Sequence, residues 1–354
     1  MLIRPMRADD LDQVIRIWNA CVNAGEVLYY PLTEDYFRRK FVDGEGCEPE
    51  NLLVAEASGQ VAGFIHGVAP GTFRLSRPGQ AYLTVILVDP ARRGQGVGAA
   101  LLQALIARMK SRGAAALSVS SLNPVNLDWR IPGTPGHDHN NMPGLDNGCA
   151  GFGFFGHRGF ERRHDEVSMY INLADYRMPE GVAALREKLA REGIQTGPYD
   201  ARLMADFDGM CDRVGSDYWR DVLRTETAAW LRNEPNADSR MWADGIRPAG
   251  PRVILAAVSD GRVVGFTGPV DKQKSGRGWF TGICTDPLFE RRGIATVLFN
   301  LLMQAFVDEG AAFSTLFTGA DNHAQKIYRG AGMRPVRQFS IMTLDLSGKG
   351  GNDT

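Results

Sequence analysis

A glycine-rich turn between a predicted strand and a predicted helix is the stretch whose residue types and spacing best suit chemistry. The strand covers Val85–Val88 and ends at Asp89-Pro90, because proline cannot donate to a β-ladder. Gly94–Gly98 follows, and Val97–Met109 then carries apolar residues at helical spacing. Free N–H groups and the positive end of the dipole meet at a helix N-terminus. Since glycine lets a ligand approach the backbone closely, the turn predicts a site for a pyrophosphate-sized anion.

The same pattern occurs a second time further along the chain. Gly96 follows Pro90 by six residues, and Gly293 follows Pro287 by the same interval. The offset of 197 residues continues without a gap into the helices, where Leu101 aligns with Leu298. A repeat of this length indicates a duplicated domain rather than a solenoid unit.

The two copies differ by an insertion of 24 residues in the first, at about 122–147. It is rich in proline and glycine and has no periodicity, which predicts a loop. Trp129 and Ile131 predict that this loop packs, either as a wall of the acceptor site or against the second copy. His137 and His139 flank Asp138, but without a third ligand cluster the pattern does not favour a metal site.

Arg93-Gly-Gln-Gly-Val-Gly98 matches the Gln/Arg-x-x-Gly-x-Gly/Ala signature of the GNAT family of N-acetyltransferases, and both copies resemble that family. The resemblance implies an α/β (α+β) chain of two tandem GNAT domains, each with a mixed central sheet flanked by helices. The predicted domains are 1–175 and 196–346. A linker helix is expected at 176–195, and a frayed tail at 347–354.

The resemblance also implies acetyl-CoA as co-substrate and no metal. Its pyrophosphate would bind the glycine turns, and its pantetheine arm would pair with the strand before each turn. The implied cofactor-binding residues are Leu87, Val88, Arg93, Gly94, Gln95, Gly96, Val97 and Gly98 in the first copy, and Ile283, Cys284, Thr285, Arg291, Arg292, Gly293, Ile294, Ala295, Thr296 and Asn322 in the second.

A tyrosine on the last helix commonly gives a proton to the departing thiolate in this family, and an asparagine six residues earlier contacts CoA. By resemblance these are Tyr328 and Asn322 in the second copy, although an aromatic core residue is the alternative interpretation of Tyr328. The first copy has Cys149 and Phe155 there. The second copy departs from the signature at Glu290 and Arg291. We expect the second copy to be catalytic and the first to bind acyl-CoA.

The resemblance implies direct transfer, in a ternary complex, of an acetyl group to the amine of a small molecule. The general base stays open between a water chain, Asp271 and His323. Two alternatives remain: a non-catalytic acyl-CoA sensor or scaffold, and an enzyme whose first copy is active. The tandem arrangement also resembles mycothiol synthase, which is a narrower candidate.

Composition and charge narrow the possible partners and the cellular compartment of this protein. The 354 residues carry a net charge of −1, which gives no electrostatic case for nucleic acid or a membrane surface. Five scattered cysteines without metal spacing predict reduced thiols and a cytoplasmic protein. No apolar run is long enough to span a membrane. Either a monomer or a homodimer is compatible with the duplication.

Overall fold

The chain divides into two units, each built from residues of both sequence copies. The structure, a computed structural model, describes residues 1–73, 76–120, 124–135, 142–200, 205–217, 220, 224, 253–273 and 275–348. The first unit comprises Met1–Thr134, His139–Val167 and Arg337–Thr354, and the second comprises Pro135–Asp138 and Ser168–Val336.

The first unit is a mixed sheet with helices on both faces. Its strands are β1 (Leu2–Pro5), β2 (Leu52–Ala57), β3 (Gln60–Val68), β4 (Gln80–Val88), β5 (Ala116–Val119) and β6 (Leu145–Asp146), and its helices are α1 (Leu11–Asn23), α2 (Glu34–Phe37), α3 (Val97–Ser111) and α4 (Phe152–Gly156). Strands β1 to β5 are neighbours in that order. All of these pairs are antiparallel except β4 with β5.

Each face of this sheet has its own apolar core. Leu101 and Leu105 of α3 pack on one face, and both are fully buried. Trp18 of α1 packs on the other face against Phe64, with the ring centroids 6.2 Å apart. The continuous apolar run of β4 is thus buried on both faces, which is why it lacks an alternating pattern.

The second unit contains a smaller sheet and a separate ladder. Its strands are β8 (Ile194–Pro198), β9 (Leu255–Ser259), β10 (Arg262–Thr267), β11 (Arg277–Trp279), β12 (Ile283–Thr285) and β13 (Phe313–Gly319), and its helices are α5 (Glu180–Arg191), α6 (Phe207–Val214), α7 (Ile294–Asp308) and α8 (Gln325–Gly330). Strands β12, β10, β9 and β8 form one sheet in that order. Strand β11 pairs in parallel with β13.

The last strand of each copy, β7 (Glu161–Asn172) or β14 (Arg334–Asp345), divides between the units. The end of β14 belongs to the first unit, where Met342–Asp345 pairs antiparallel with Ala116–Val119 of β5. Ser168–Asn172 of β7 belongs to the second unit, where β7 is the neighbour of β13. The last strand of each sequence copy therefore contributes to the unit that contains the other copy's glycine turn.

The predicted fold class, mixed sheets flanked by helices in two related copies, is confirmed. Packing of the insertion is also confirmed for Trp129 and Ile131, which are 1% and 5% exposed. Trp129 meets Phe339 of β14 edge to face, with centroids 5.4 Å apart. The insertion is not all loop, since it includes β6, while 137–139 lie outside the described residues.

Candidate functional site

Strands β4 and β5 part in the first unit and leave a groove. Their parallel ladder runs from Gln80–Ala116 to Tyr82–Ser118 and ends there, although β4 continues to Val88. A cavity of about 640 Å³ lies beyond this point, within the range typical of small-molecule sites. Leu83–Val88 and Val119 line it. The edge of β4 therefore presents backbone groups to a ligand in the cavity.

The first glycine turn lies at the same cavity and is open to it. Gly96 has a φ of +80° and caps α3, whose first hydrogen bond runs from Ala100 N–H to the Gly96 carbonyl over 3.0 Å. The N–H groups of Val97, Gly98 and Ala99 have no acceptor within the helix, and these residues line the cavity. A Cβ placed on Gly94 or Gly96 would meet nothing within 4 Å. A phosphate can thus reach this turn without displacing protein atoms.

Arg93, which opens the glycine signature, is held by an ion pair. Its Nη1 and Nη2 donate to the two carboxylate oxygens of Glu26 over 2.6 and 2.5 Å. These bonds hold the pKa of Glu26 below its usual range. The Nε of Arg93 donates to the Val88 carbonyl over 3.3 Å. Arg93 thus fixes the turn to the end of β4, while much of its charge is offset by Glu26.

Tyr29 brings a phenol to the cavity, a position that its sequence context does not reveal. It is half-buried, and its ring lies 5.1 Å from that of Trp18. Burial raises the pKa of Tyr29, and the neighbouring Cys149 thiol adds to that effect. Burial likewise raises the pKa of Cys149. The phenol therefore keeps its proton at neutral pH.

Asp146 is a carboxylate at the cavity that no sequence motif indicates. It lies at the end of the insertion, is 4% exposed, and accepts two hydrogen bonds of 2.7 Å from Arg337 of β14. Only the tertiary structure brings these two residues together, because 191 positions separate them.

The second glycine turn has the same backbone shape but a different neighbour. Gly293 has a φ of +94°, and Arg291 adopts a left-handed φ of +59° where the first copy has Gly94. Leu185 of α5 covers Gly293, since its Cδ atoms would lie 2.7–2.8 Å from a Cβ there. The helix after the first copy therefore occupies space beside the second turn that is open at the first.

Tyr328 lies in an aromatic cluster of the second unit. It is 4% exposed, and its ring centroid is 4.9 Å from Phe299 and 5.6 Å from Phe280. Burial raises the pKa of Tyr328 to about 12. Asn322 uses its side chain locally, accepting from Ala324 N–H and donating to Thr318 Oγ1. Neither residue lines the cavity of the first unit.

The other residues implied in the second copy lie along the same strand and turn. Strand β12 (Ile283–Thr285, including Cys284) pairs with β10. Where β4 is continuous, the second copy is interrupted at Phe280–Gly282, between β11 and β12. Arg292 lies over the Phe289 ring, and Ile294, Ala295 and Thr296 form the first turn of α7.

Gln95, the remaining implied residue of the first glycine turn, makes a local contact. Its Nε2 donates to the Ala91 carbonyl over 3.4 Å.

Within the described ranges no group of three His, Cys, Asp or Glu side chains is placed to hold a metal ion. No helix of those ranges is long and apolar enough to cross a bilayer.

Comparison with known proteins identifies two related regions. The sequence profile of the Acetyltransferase (GNAT) family matches residues 12–128 and 217–333. An L-2,4-diaminobutyric acid acetyltransferase of Nocardia farcinica is 33% identical over 81 residues, which are 22% of this chain and 40% of that protein. An acetyltransferase of Photorhabdus laumondii is 34% identical over 115 residues, 32% of this chain and 69% of that protein.

Solved structures also match nearly the whole chain, among them the following two. A GCN5-related N-acetyltransferase from Sphaerobacter thermophilus has a TM-score of 0.56 and 18% identity, covering 100% of this chain and 97% of that chain. A tandem GNAT protein from the clavulanic acid biosynthesis pathway has a TM-score of 0.52 and 15% identity, covering 99% of both chains. At these identities the likeness concerns the fold alone.

Proposed function

Because this chain belongs to the GNAT family of acetyltransferases, we propose that it moves an acetyl group from acetyl-CoA to the amine of a small molecule. The observation that carries the proposal is the cavity where the open edge of β4 meets the open turn at Gly96. A thioester ligand with a pyrophosphate fits both features. The amide groups of its arm can pair with the strand edge, and its phosphates can bind the helix N-terminus.

We place the acetyl-CoA site in the first copy. The sequence favoured the second copy as the catalyst because it has Tyr328, with an active first copy as the alternative. The contacts of Leu185 on Gly293 and the burial of Tyr328 support that alternative. The narrower candidate resembling mycothiol synthase depended on a catalytic second copy, and these contacts do not favour it.

The transfer proceeds directly within a ternary complex. The neutral amine attacks the thioester carbonyl, a carbon–nitrogen bond forms, and the carbon–sulfur bond breaks. The backbone N–H of Val88 polarises the carbonyl oxygen, as in an oxyanion hole, because it points to the open edge of β4 while the N–H of Asp89 is bonded to the Ala62 carbonyl of β3. Tyr29 gives its proton to the departing thiolate, and the proton lost by the amine returns the phenol to its starting state through solvent.

A small amine is the proposed acceptor. The cavity is of small-molecule size, and the chain's net charge of −1 offers no large acidic field for a basic polypeptide. The Nocardia relative is named for an amino acid that carries a free amine, which supports the same class. Diamino acids are therefore the first acceptors to test.

A pair of matched substitutions tests which turn binds acetyl-CoA. Gly98 and Ala295 occupy the same position in the first turn of α3 and α7. A glutamate in the first turn suits a helix dipole but repels phosphate. We expect Gly98→Glu to weaken acetyl-CoA binding at least about tenfold, and Ala295→Glu to leave it unchanged. Calorimetric titration measures both, with one site per chain in the unmodified protein.

Gly98→Gln is the control for size, because it adds the same volume without charge. Two binding sites per chain would place acetyl-CoA in both copies, and loss of binding with Ala295→Glu alone would place it in the second copy; either result contradicts a site in the first copy only. Binding without CoA release in the presence of any diamino acid or other small amine would favour the sensor or scaffold over the enzyme. No binding of acetyl-CoA at all would end the proposal.

A further inference from the structure

An arginine stacked on a phenylalanine forms one rim of the cavity in the first unit. Phe154 belongs to α4, and its Cε2 and Cζ atoms lie 3.6 Å from the position of a Cβ on Gly98. The guanidinium carbon of Arg158 lies 5.5 Å from the centroid of the same ring. The positive charge of Arg158 is thus held about one ring's width from the turn at the start of α3.

The positive charge of Arg158 is available to a ligand, whereas that of Arg93 is paired with Glu26. Three arginines line the cavity, and Arg93 among them is paired with Glu26. Within the described ranges, no carboxylate lies in salt-bridge distance of Arg92 or Arg158. Arg158 is exposed, and its guanidinium group lies over the Phe154 ring. A cation held in this way at a cavity rim suits a phosphate group.

The second copy lacks both parts of this arrangement. In the alignment that pairs Gly159 with Gly332, Phe154 corresponds to Ile327 and Arg158 to Ala331. Ala331 is 4% exposed, so that position faces the protein interior. The arginine and its ring support therefore accompany the open glycine turn and are absent beside the covered one.

We propose that Arg158 binds the 3′-phosphate of coenzyme A and so selects CoA thioesters over shorter pantetheine thioesters. The inference rests on the acetyl-CoA site proposed above. The pyrophosphate of CoA has the free N–H groups of Val97, Gly98 and Ala99 to bind. The 3′-phosphate lies one ribose away from that pyrophosphate, and Arg158 lies one aromatic ring away from the turn. The pyrophosphate and the 3′-phosphate of the ligand therefore lie in the same order as the N–H groups of the turn and the guanidinium group of Arg158.

Titration with two ligands tests this assignment. Acetyl-CoA and 3′-dephospho-acetyl-CoA differ only in the phosphate that Arg158 is proposed to bind. We expect Arg158→Gln to weaken acetyl-CoA binding about five- to tenfold, the size of one charge-assisted contact at a partly exposed site, and to change dephospho-ligand binding less than about twofold. The unmodified protein should prefer acetyl-CoA by the same factor. Arg158→Lys should keep part of the preference.

Arg163→Gln is the matched control, because Arg163 is an exposed arginine of the same unit that pairs with Glu161 instead. Arg163→Gln should leave the affinity for both ligands unchanged. Equal losses for both ligands with Arg158→Gln would mean that the arginine acts elsewhere, and no loss would mean that it does not touch the cofactor. Either result overturns the assignment while leaving the acetyl-CoA site standing. If the unmodified protein binds neither ligand, the assignment and the proposed function both fail.

Discussion

At the scale of single residues, the same aligned position has different chemistry in the two copies. Phe155 in the first copy has no proton to give, and Tyr328 in the second has one but lies among Phe280 and Phe299. Tyr29, far from either position in the sequence, is the phenol that lines the cavity within the described ranges. The proton donor is therefore inferred from the cavity rather than from the aligned helix.

Replacing each phenol in turn separates the two possibilities. We expect Tyr29→Phe to lower kcat about a hundredfold with little change in KM, as for the loss of a general acid. Tyr328→Phe should leave turnover unchanged. The measurement is CoA release with a diamino acid as acceptor. An acetyl thioester of an acidic aryl thiol, whose thiolate leaves without a proton, should lessen the effect of Tyr29→Phe. The opposite pattern, with Tyr328→Phe inactive, would return the chemistry to the second copy.

At the scale of elements, a buried ion pair fixes β1 to the start of α1. Arg4 Nη1 and Nη2 donate to the Asp10 carboxylate over 2.7 and 2.9 Å, and Arg7 N–H donates to it over 2.7 Å. Asp10 is 5% exposed. This contact orients α1, whose apolar face carries Trp18 against the sheet and Cys21 to the cavity.

We expect Asp10→Asn to destabilise the protein by about 2–3 kcal/mol at neutral pH, since Arg4 then loses the carboxylate that both of its Nη atoms contact and keeps only Glu56 as a charged partner. The hydrogen bonds from Arg4 hold the pKa of Asp10 below its usual range. The carboxylate therefore stabilises the fold above its unfolded pKa, about 4, and this contribution is lost as the pH falls through the folded value.

Thermal unfolding of both proteins between pH 7 and pH 3 checks this. The gap between their melting temperatures should narrow toward pH 3, and Asp9→Asn, an exposed neighbour, should show almost no gap. A gap that stays constant with pH would contradict the role given to the charge of Asp10.

At the scale of the whole molecule, the first unit cannot be completed from the residues of the first sequence copy alone. Strand β14 is the last strand of the second copy, yet its end pairs with β5 in the first unit. It also supplies Arg337 to Asp146, the cavity carboxylate. The first copy alone therefore lacks a strand and an ion pair of its own candidate site.

Two truncations test this dependence. A chain ending at Gly332 lacks β14, and we expect it to lose acetyl-CoA binding and to unfold at lower temperature. Asp146 would be left without Arg337, and β5 without its antiparallel neighbour. A chain ending at Leu346 keeps β14 and removes only the last residues, and it should bind as the full chain does. Calorimetry and thermal unfolding give both readouts. Unchanged binding by the shorter chain would contradict the role of β14.

The sequence by itself determined the local parts of this protein. Apolar runs, proline stops and helical spacing predicted β4 and α3, and the repeat of glycines at matching intervals predicted two copies of one fold. These features are local, because strand ends, helix starts and left-handed glycines depend on neighbours a few residues away. The resemblance to the family depended on the same short stretches.

Only the tertiary structure decided which turn is open, which tyrosine faces a cavity and where the last strands pair. Leu185 covers Gly293 because α5 packs beside α7, and no periodicity in either helix predicts that contact. The first unit brings Tyr29 and Asp146 to one cavity, and it pairs Asp146 with Arg337 through strand pairing and the folded insertion. Such contacts join residues far apart in the chain, so their partners are set by packing of whole elements rather than by local sequence.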